Sequence, residues 1–269
     1  MPALVEVFRL ERAEVQMAAA FALGGIGPDA EDAIPELLAA IRNQGGDTNS
    51  ARAGSLASSA AFALGRIGNA AVPGLLDVLL DDREAVSLYA GQALKSAGPK
   101  AKAAVPALVQ ALQDKRKHVR RSAVYALGGI GPAAKEAVPA LLEILNVQDS
   151  PEMHFYAAYA LERTSPGSKY GWPTLLQALK DKNSTLRAAA AEALAEVGTE
   201  PRLFIPDLVA LLADGDLAIR LAAGNALSKI GQPAIPALFE ATQSSDLDLR
   251  REAVLLLQRL SPDSLPNKK

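Results

Sequence analysis

Apolar residues recur along the chain in two alternating short runs, both spaced at three and four residues as amphipathic helices require. One run reads VPALVQAL (105–112), with leucine two places after proline. The other reads VRRSAVYALGGI (119–130), rich in alanine and ending at glycine. Neither shows β-branched enrichment or strand alternation, so the pattern predicts helices throughout.

The two runs repeat. A leucine in the motif ALGxIG or its variants falls at Leu23, Leu64, Leu94, Leu127, Leu161, Leu194, Leu227 and Leu257. A proline opens the other run at Pro2, Pro35, Pro73, Pro106, Pro139, Pro173, Pro206 and Pro236. Proline and leucine are 21 residues apart in six of the eight units, for example Pro106 to Leu127. The spacing is 22 at Pro139–Leu161 and 29 at Pro35–Leu64, where an insertion lies in the polar stretch RNQGGDTNSARAG. Gly45–Ser50 are expected to form a mobile surface loop there. A period near 33 residues is the mark of a solenoid. Each unit should hold a first helix opening at proline, whose missing N–H is unpaired there anyway. A second helix should follow, stopped by glycine at Gly27, Gly68, Gly98, Gly131, Gly198 or Gly231. LGGIG alone suggests a phosphate loop, but no strand precedes it and no Lys-Ser/Thr pair follows. Its recurrence makes it a helix end.

Neither the ankyrin TPLHxA nor the tetratricopeptide pattern occurs. The helix-opening proline, the Val-Arg pair of the second helix and ALGxIG together resemble the HEAT-repeat superfamily, in its short-repeat form, the phycobilisome-lyase-like group. The family's Asp-to-Arg ladder is matched by Asp114 with Arg120, Asp181 with Arg187 and Asp214 with Arg220, and is broken at Ser87 and Ser244. The resemblance implies an all-α, right-handed α-solenoid of eight HEAT-like helix pairs. It would form one domain over residues 1–262, followed by a flexible tail at 263–269.

Advancing about 100° per residue from the anchor leucine sorts each second helix into faces. The position four before the anchor is alanine in all eight units, which marks a close helix–helix approach in the core. The positions six, five and two before the anchor and two after it lie opposite. The resemblance turns these 32 positions toward a concave groove. Twelve aromatic residues in 269 would place about 1.4 there by chance, yet seven are found: Phe21, Phe62, Tyr89, Tyr125, Phe155, Tyr156 and Tyr159. Exposed aromatics bury much area at little entropic cost, so they read as anchors for a partner, the alternative being packing between neighbouring second helices. Arg121 and Arg163 rim the central run. The groove charges are mixed with a modest basic excess, which suits an acidic or phosphorylated peptide better than a duplex. Acidic residues spread one per unit on the first helices, among them Glu6, Asp77 and Glu143, read as a solvated outer surface.

Composition narrows the classes further. The chain is 49% hydrophobic and 22% charged with formal charge −2, a folded composition without the basic excess of a nucleic-acid binder. No cysteine is present, and no apolar run approaches the roughly 18 residues of a membrane span. The first fifteen residues carry acids where a signal peptide would be basic, so a cytoplasmic protein is expected. The two histidines, His118 and His154, stand in different units at different angles, so neither a metal site nor a cofactor is expected. No GxSxG elbow occurs. The sequence therefore reads as a non-catalytic scaffold binding a protein or peptide, with a chromophore (bilin) lyase or chaperone-like protein of the phycobilisome-lyase type as the alternative reading.

Overall fold

The computed structural model describes residues 2–10, 13–44, 51–146, 150–166, 171–197 and 200–261. Among these are sixteen α-helices and no strand. The odd-numbered, first helices are α1 (Pro2–Leu10), α3 (Ile34–Gln44), α5 (Val72–Leu79), α7 (Val105–Ala111), α9 (Val138–Asn146), α11 (Trp172–Ala178), α13 (Ile205–Ala210) and α15 (Ile235–Ala241). The even-numbered, second helices are α2 (Ala13–Ile26), α4 (Ala51–Ile67), α6 (Glu84–Ala97), α8 (Lys117–Ile130), α10 (Pro151–Thr164), α12 (Ser184–Val197), α14 (Leu217–Ile230) and α16 (Leu247–Leu260). The protein is thus an all-α solenoid of eight helix pairs. The pairs group into two compact units, one of residues 1–148 with 163–165 and the other of 149–162 with 166–269.

The core follows the repeat. All eight anchor leucines and all eight alanines four residues before them are buried. The leucine two after the proline is fully buried in seven units, and only Leu4 of the first is half-buried. Small residues at the helix contacts are sterically required. A Cβ on Gly129 would lie 2.4 Å from the Lys95 Cα, and one on Gly91 would lie 2.9 Å from the Ser122 carbonyl oxygen. The second helices α6 and α8 therefore touch backbone to backbone, with Ser87 and Ser122 sharing a buried hydroxyl hydrogen bond of 3.1 Å.

The helix ends obey the predicted chemistry with small shifts. From α3 to α15 the proline is the second residue of the first helix, one place later than expected. Gly27, Gly68, Gly98, Gly131 and Gly231 have φ between 58° and 86°, positive values that glycine adopts without strain. Gly198 lies outside the described residues. The Gly131 N–H donates to the Leu127 carbonyl, which makes LGGIG of residues 127–131 the closing turn of α8. The polar insertion is partly helical: α3 reaches Gln44, and α4 has 17 residues where the other second helices have 14. The loop expected at Gly45–Ser50 and the tail at 263–269 lie outside the described residues.

The Asp-to-Arg ladder exists, but its bonds run differently from a simple carboxylate–guanidinium pairing. Arg120, Arg187 and Arg220 each donate to two backbone carbonyls of their own turn, those of Asp114 and Lys115, Asp181 and Lys182, and Asp214 and Gly215. The aspartate side chains instead accept from the amide two residues on, at Arg83, Arg116, Asn183 and Asp216. Between units, Arg187 holds Asp214 through two bonds of 3.1 and 3.2 Å. Two further arginines link successive units: Arg83 donates to the Arg42 carbonyl and Arg116 to the Leu80 carbonyl, each at 2.7 Å. Both acceptors stand seven residues after their unit's proline, at the end of a first helix whose last carbonyls lack intrahelical donors. The Arg116 guanidinium, hydrogen-bonded to Asp114, holds that carboxyl down to about 2.

Two predictions follow from this packing. Gly91 and Gly224 occupy the same repeat position, but a Cβ on Gly224 would meet only the Leu256 Cδ2 at 3.8 Å and the Leu212 Cδ2 at 4.0 Å. Gly91→Ala should destabilise by roughly 1–2 kcal/mol, an overpacking cost of about 1–3 kcal/mol less a helix-propensity gain of up to about 1. Gly224→Ala should stabilise by about 0.5–1 kcal/mol. Denaturant titration of the two variants reads the sign. The second prediction concerns acid. Asp114 has a lowered folded-state pKa, so its contribution is complete above the unfolded value near 3.9 and is lost as pH falls through about 2. Asp114→Asn should be less stable than the parent at neutral pH, and the gap should close between about pH 4 and about pH 2.

Candidate functional site

The second-helix face of the first unit carries an open aromatic surface. Phe21 on α2 is 56% exposed and Phe62 on α4 is 40% exposed. Their ring centroids are 5.4 Å apart at an interplanar angle of 47°. Next to Phe62 a cavity of about 360 Å³ is walled by Ser58 and Ala61 on α4, Gln92, Lys95 and Ser96 on α6, and Tyr125 on α8. The Lys95 ammonium donates to the Tyr125 hydroxyl at 2.9 Å and lies 4.2 Å from its ring centroid. This places a cation, a phenol, two hydroxyls and an amide beside two exposed phenyl rings. Such a surface offers apolar area to a side chain and hydrogen bonds to a carboxylate or backbone carbonyl.

The other expected anchors are less open. Tyr89, Tyr125 and Tyr156 are half-buried, while Phe155 and Tyr159 are buried, so the last two depart from the expected exposure. On α10, Phe155 packs against the Tyr156 ring at 5.3 Å in an edge-on arrangement. Tyr159 donates its hydroxyl to the Glu196 carboxylate on α12. At Tyr159 the neighbouring helix lays Glu196 against the hydroxyl, and the ring is covered.

The two rim arginines have structural partners. Arg121 pairs with Glu84 at 2.6 Å. Arg163 donates to the Gly128 carbonyl at 3.4 Å, and Arg66, at the same repeat position, donates to the Gly24 carbonyl at 3.5 Å. Each thereby closes the last turn of the preceding second helix. The Arg121 side chain is 21% exposed and held by Glu84, whereas Arg163 chiefly caps a helix.

Three features escaped the sequence. Lys95 stands one residue after its anchor, outside the four positions counted as groove-facing. In the second unit Leu217, Leu221 and Leu255 are exposed around a small cavity of about 140 Å³ bordered by Arg220 and Arg259. Their spacing of four residues on α14 was a readable signal, but an aromatic count passes over leucine. A larger cavity of about 950 Å³ in the same unit is lined by Pro201, Pro206, Pro233 and Pro236 with the half-exposed Leu203. Pro206 and Pro236 read as helix starts, and Pro201 and Pro233 carry no repeat signal. Among the described residues no three His, Asp or Glu side chains are placed to hold a metal ion, and no single helix is long and apolar enough to cross a membrane.

The HEAT repeats family model matches residues 72–162, 138–204 and 172–258, and that of the PBS lyase HEAT-like repeat matches 15–43 and 56–81. No match was found among curated proteins. The fold is similar to that in the complex of CpcE and CpcF of phycocyanin lyase from Nostoc sp. PCC7120, with 23% identity, a TM-score of 0.55, and coverage of 97% of this chain and 94% of that one. It is also similar to Kap121p bound to Pho4p, with 16% identity, a TM-score of 0.57 and coverage of 96% of this chain. There the chain spans about a third of the other protein, 33% of its length. The repeated proline and leucine, the glycine-capped second helices and the matched span of 72–258 together make this chain a member of the HEAT-repeat family.

Proposed function

We propose that the chain is a non-catalytic interaction scaffold, acting as one domain over residues 1–262. It binds a protein or peptide segment on the second-helix face at α2, α4, α6 and α8. The observation that carries this reading is the exposed Phe21–Phe62 pair beside the cavity closed by Lys95 and Tyr125. A contiguous aromatic patch rimmed by polar groups is the usual form of a protein-binding hot spot. Lys95 and Arg121 favour a segment bearing carboxylate or phosphate next to an apolar side chain, through charge-assisted hydrogen bonds. The similarity to Kap121p bound to Pho4p supports the general mode, in which a HEAT array holds another chain.

The match to the PBS lyase HEAT-like repeat over α2–α5 and the similarity to phycocyanin lyase favour a second reading, a chromophore-handling protein of the bilin lyase type. Titration with a linear tetrapyrrole, followed by visible absorption, tests it directly. A bound chromophore with a red-shifted band would replace the scaffold reading.

The scaffold reading is tested by selecting a phage-displayed random peptide library on the purified chain. Enriched sequences should pair an acidic residue with an apolar or aromatic one. Phe62→Ala should weaken the enriched peptides by about 30-fold, equivalent to about 2 kcal/mol for a central anchor. Lys95→Glu should abolish the acidic preference. Tyr159→Ala should instead lower stability, because its ring is covered, approaching the roughly 2–5 kcal/mol expected for Leu141→Ala in the core. Peptides that bind Phe62→Ala and Lys95→Glu as tightly as the parent would move the site elsewhere.

A further inference from the structure

The turns that lead from a second helix into the next first helix repeat like the helices, and one of them is out of pattern. The residue two before the first-helix proline is a buried alanine at Ala33, Ala71, Ala104, Ala137 and Ala234. Ahead of Pro206 it is Phe204, which is also fully buried. The residue three before the proline is exposed, and small or charged, at Asp32, Ala70, Ala103 and Glu136. Ahead of Pro206 it is Leu203, a large apolar side chain that is 55% exposed. The backbone differs as well. Only Pro201–Leu203 form a 3-10 turn here, where Gly98–Ala104 and Gly131–Ala137 have seven residues of it. Glu200 takes φ 51° and ψ 54°, and among the described residues it is the only non-glycine with positive φ. Burial of Phe204 in place of a methyl group accounts for a distorted turn. It does not account for Leu203, whose side chain adds little to the core, and strained backbone outside glycine gathers at binding sites.

Leu203 stands in the wall of the cavity of about 950 Å³, with the Pro201–Leu203 turn and α13 on one side and the Gln232–Ala234 turn and α15 on the other. The facing turn is short: Gly231 to Pro236 spans five residues, whereas Gly98 to Pro106 and Gly131 to Pro139 span eight. Less chain therefore lies across from Leu203. Both walls are present in the structure, so the opening owes nothing to either end of the chain. Four prolines make most of the lining apolar. A pyrrolidine ring has a fixed φ and no N–H, so this surface is rigid and little ordering is needed to bind against it. The charged groups of the lining are Glu200, Glu240 and Arg202. Among the described residues neither carboxylate has an ion-pair or hydrogen-bond partner.

We propose that this trough is a second docking surface, for a protein segment that sets an apolar side chain beside lysine or arginine. Shape and charge both select that occupant. The prolines and Leu203 offer apolar area to one side chain, and a lysine stem can lie along them while its ammonium reaches a carboxylate. Two unpaired carboxylates against one arginine disfavour an acidic peptide or a fatty acid and favour a cation. An uncharged small molecule would fill the trough but leave both carboxylates without a counter-charge. The preference is opposite in sign to that of the Phe62–Lys95 site, so the two proposals stand or fall separately.

Selection of phage-displayed random peptides, run in parallel on the parent chain and on Leu203→Ala, tests the proposal. Ala103 already occupies the equivalent position of the fourth unit, so the variant should keep the parent's circular dichroism and melting. Peptides enriched on the parent and lost on Leu203→Ala should carry lysine or arginine next to an apolar or aromatic residue. Leu203→Ala should weaken them by about 10-fold to about 30-fold, as for a central anchor. Glu240→Lys, an exposed change on α15 that leaves the turn alone, should weaken them by about 10-fold and flatten their salt dependence. Phe62→Ala and Lys95→Glu should bind them as the parent does. Enriched peptides that ignore both Leu203→Ala and Glu240→Lys overturn the proposal, and so do trough-dependent peptides that are acidic. A chain ending at Ser261 that binds the peptides about 10-fold tighter also overturns it, because residues 262–269 would then be the occupant. Self-association that Leu203→Ala abolishes does the same, by making a second copy the occupant.

Discussion

The close approach of neighbouring second helices governs the rest of this molecule. Where α6 meets α8, a glycine Cα–H faces backbone, and there is no room for a methyl group. Alanine four before each anchor and small residues at the flanking contacts allow this approach, and the anchor leucines fill what remains. Dispersion over many such contacts, with the removal of apolar surface from water, is the main stabilising term. The same closeness fixes what the surface can be. Side chains at the edge of the contact either cross to the next helix or are pressed flat against it.

That constraint explains why so many charged groups serve the backbone. Short first helices and tight turns leave a large number of terminal carbonyls and amides without helical partners. Arg83 and Arg116 satisfy first-helix carbonyls of the preceding unit, Arg120, Arg187 and Arg220 satisfy their own turns, and Arg66 and Arg163 close second helices. Aspartate and asparagine side chains supply the complementary acceptors at the entry of the next helix, as Asp216 does for Ala218 and Asp246 for Asp248. Much of the basic lining seen in the sequence is therefore architectural. Lys95 differs, because its partner is a tyrosine in the wall of a cavity.

Repetition made the fold legible, since eight copies of a weak helical pattern fix anchor, cap and core position together. The glycine caps and the invariant alanine were readable because each answers a steric demand that few residues meet. Exposure was harder to read. A helical wheel gives the direction of a side chain but not the distance to the next helix. Phe62 and Tyr159 share a repeat position, yet one is open and the other covered, the difference lying in the residues across the gap. Glu196 reaches the Tyr159 hydroxyl, and no comparable side chain closes over Phe62. Lys95 was missed for the same reason, since its ammonium reaches the face from a position whose Cα does not point there.

In a repeat protein, then, a binding surface is best sought where a residue departs from its equivalents in the other units. An exposed position that becomes aromatic, as at Phe21 and Phe62, marks area added without need of the core.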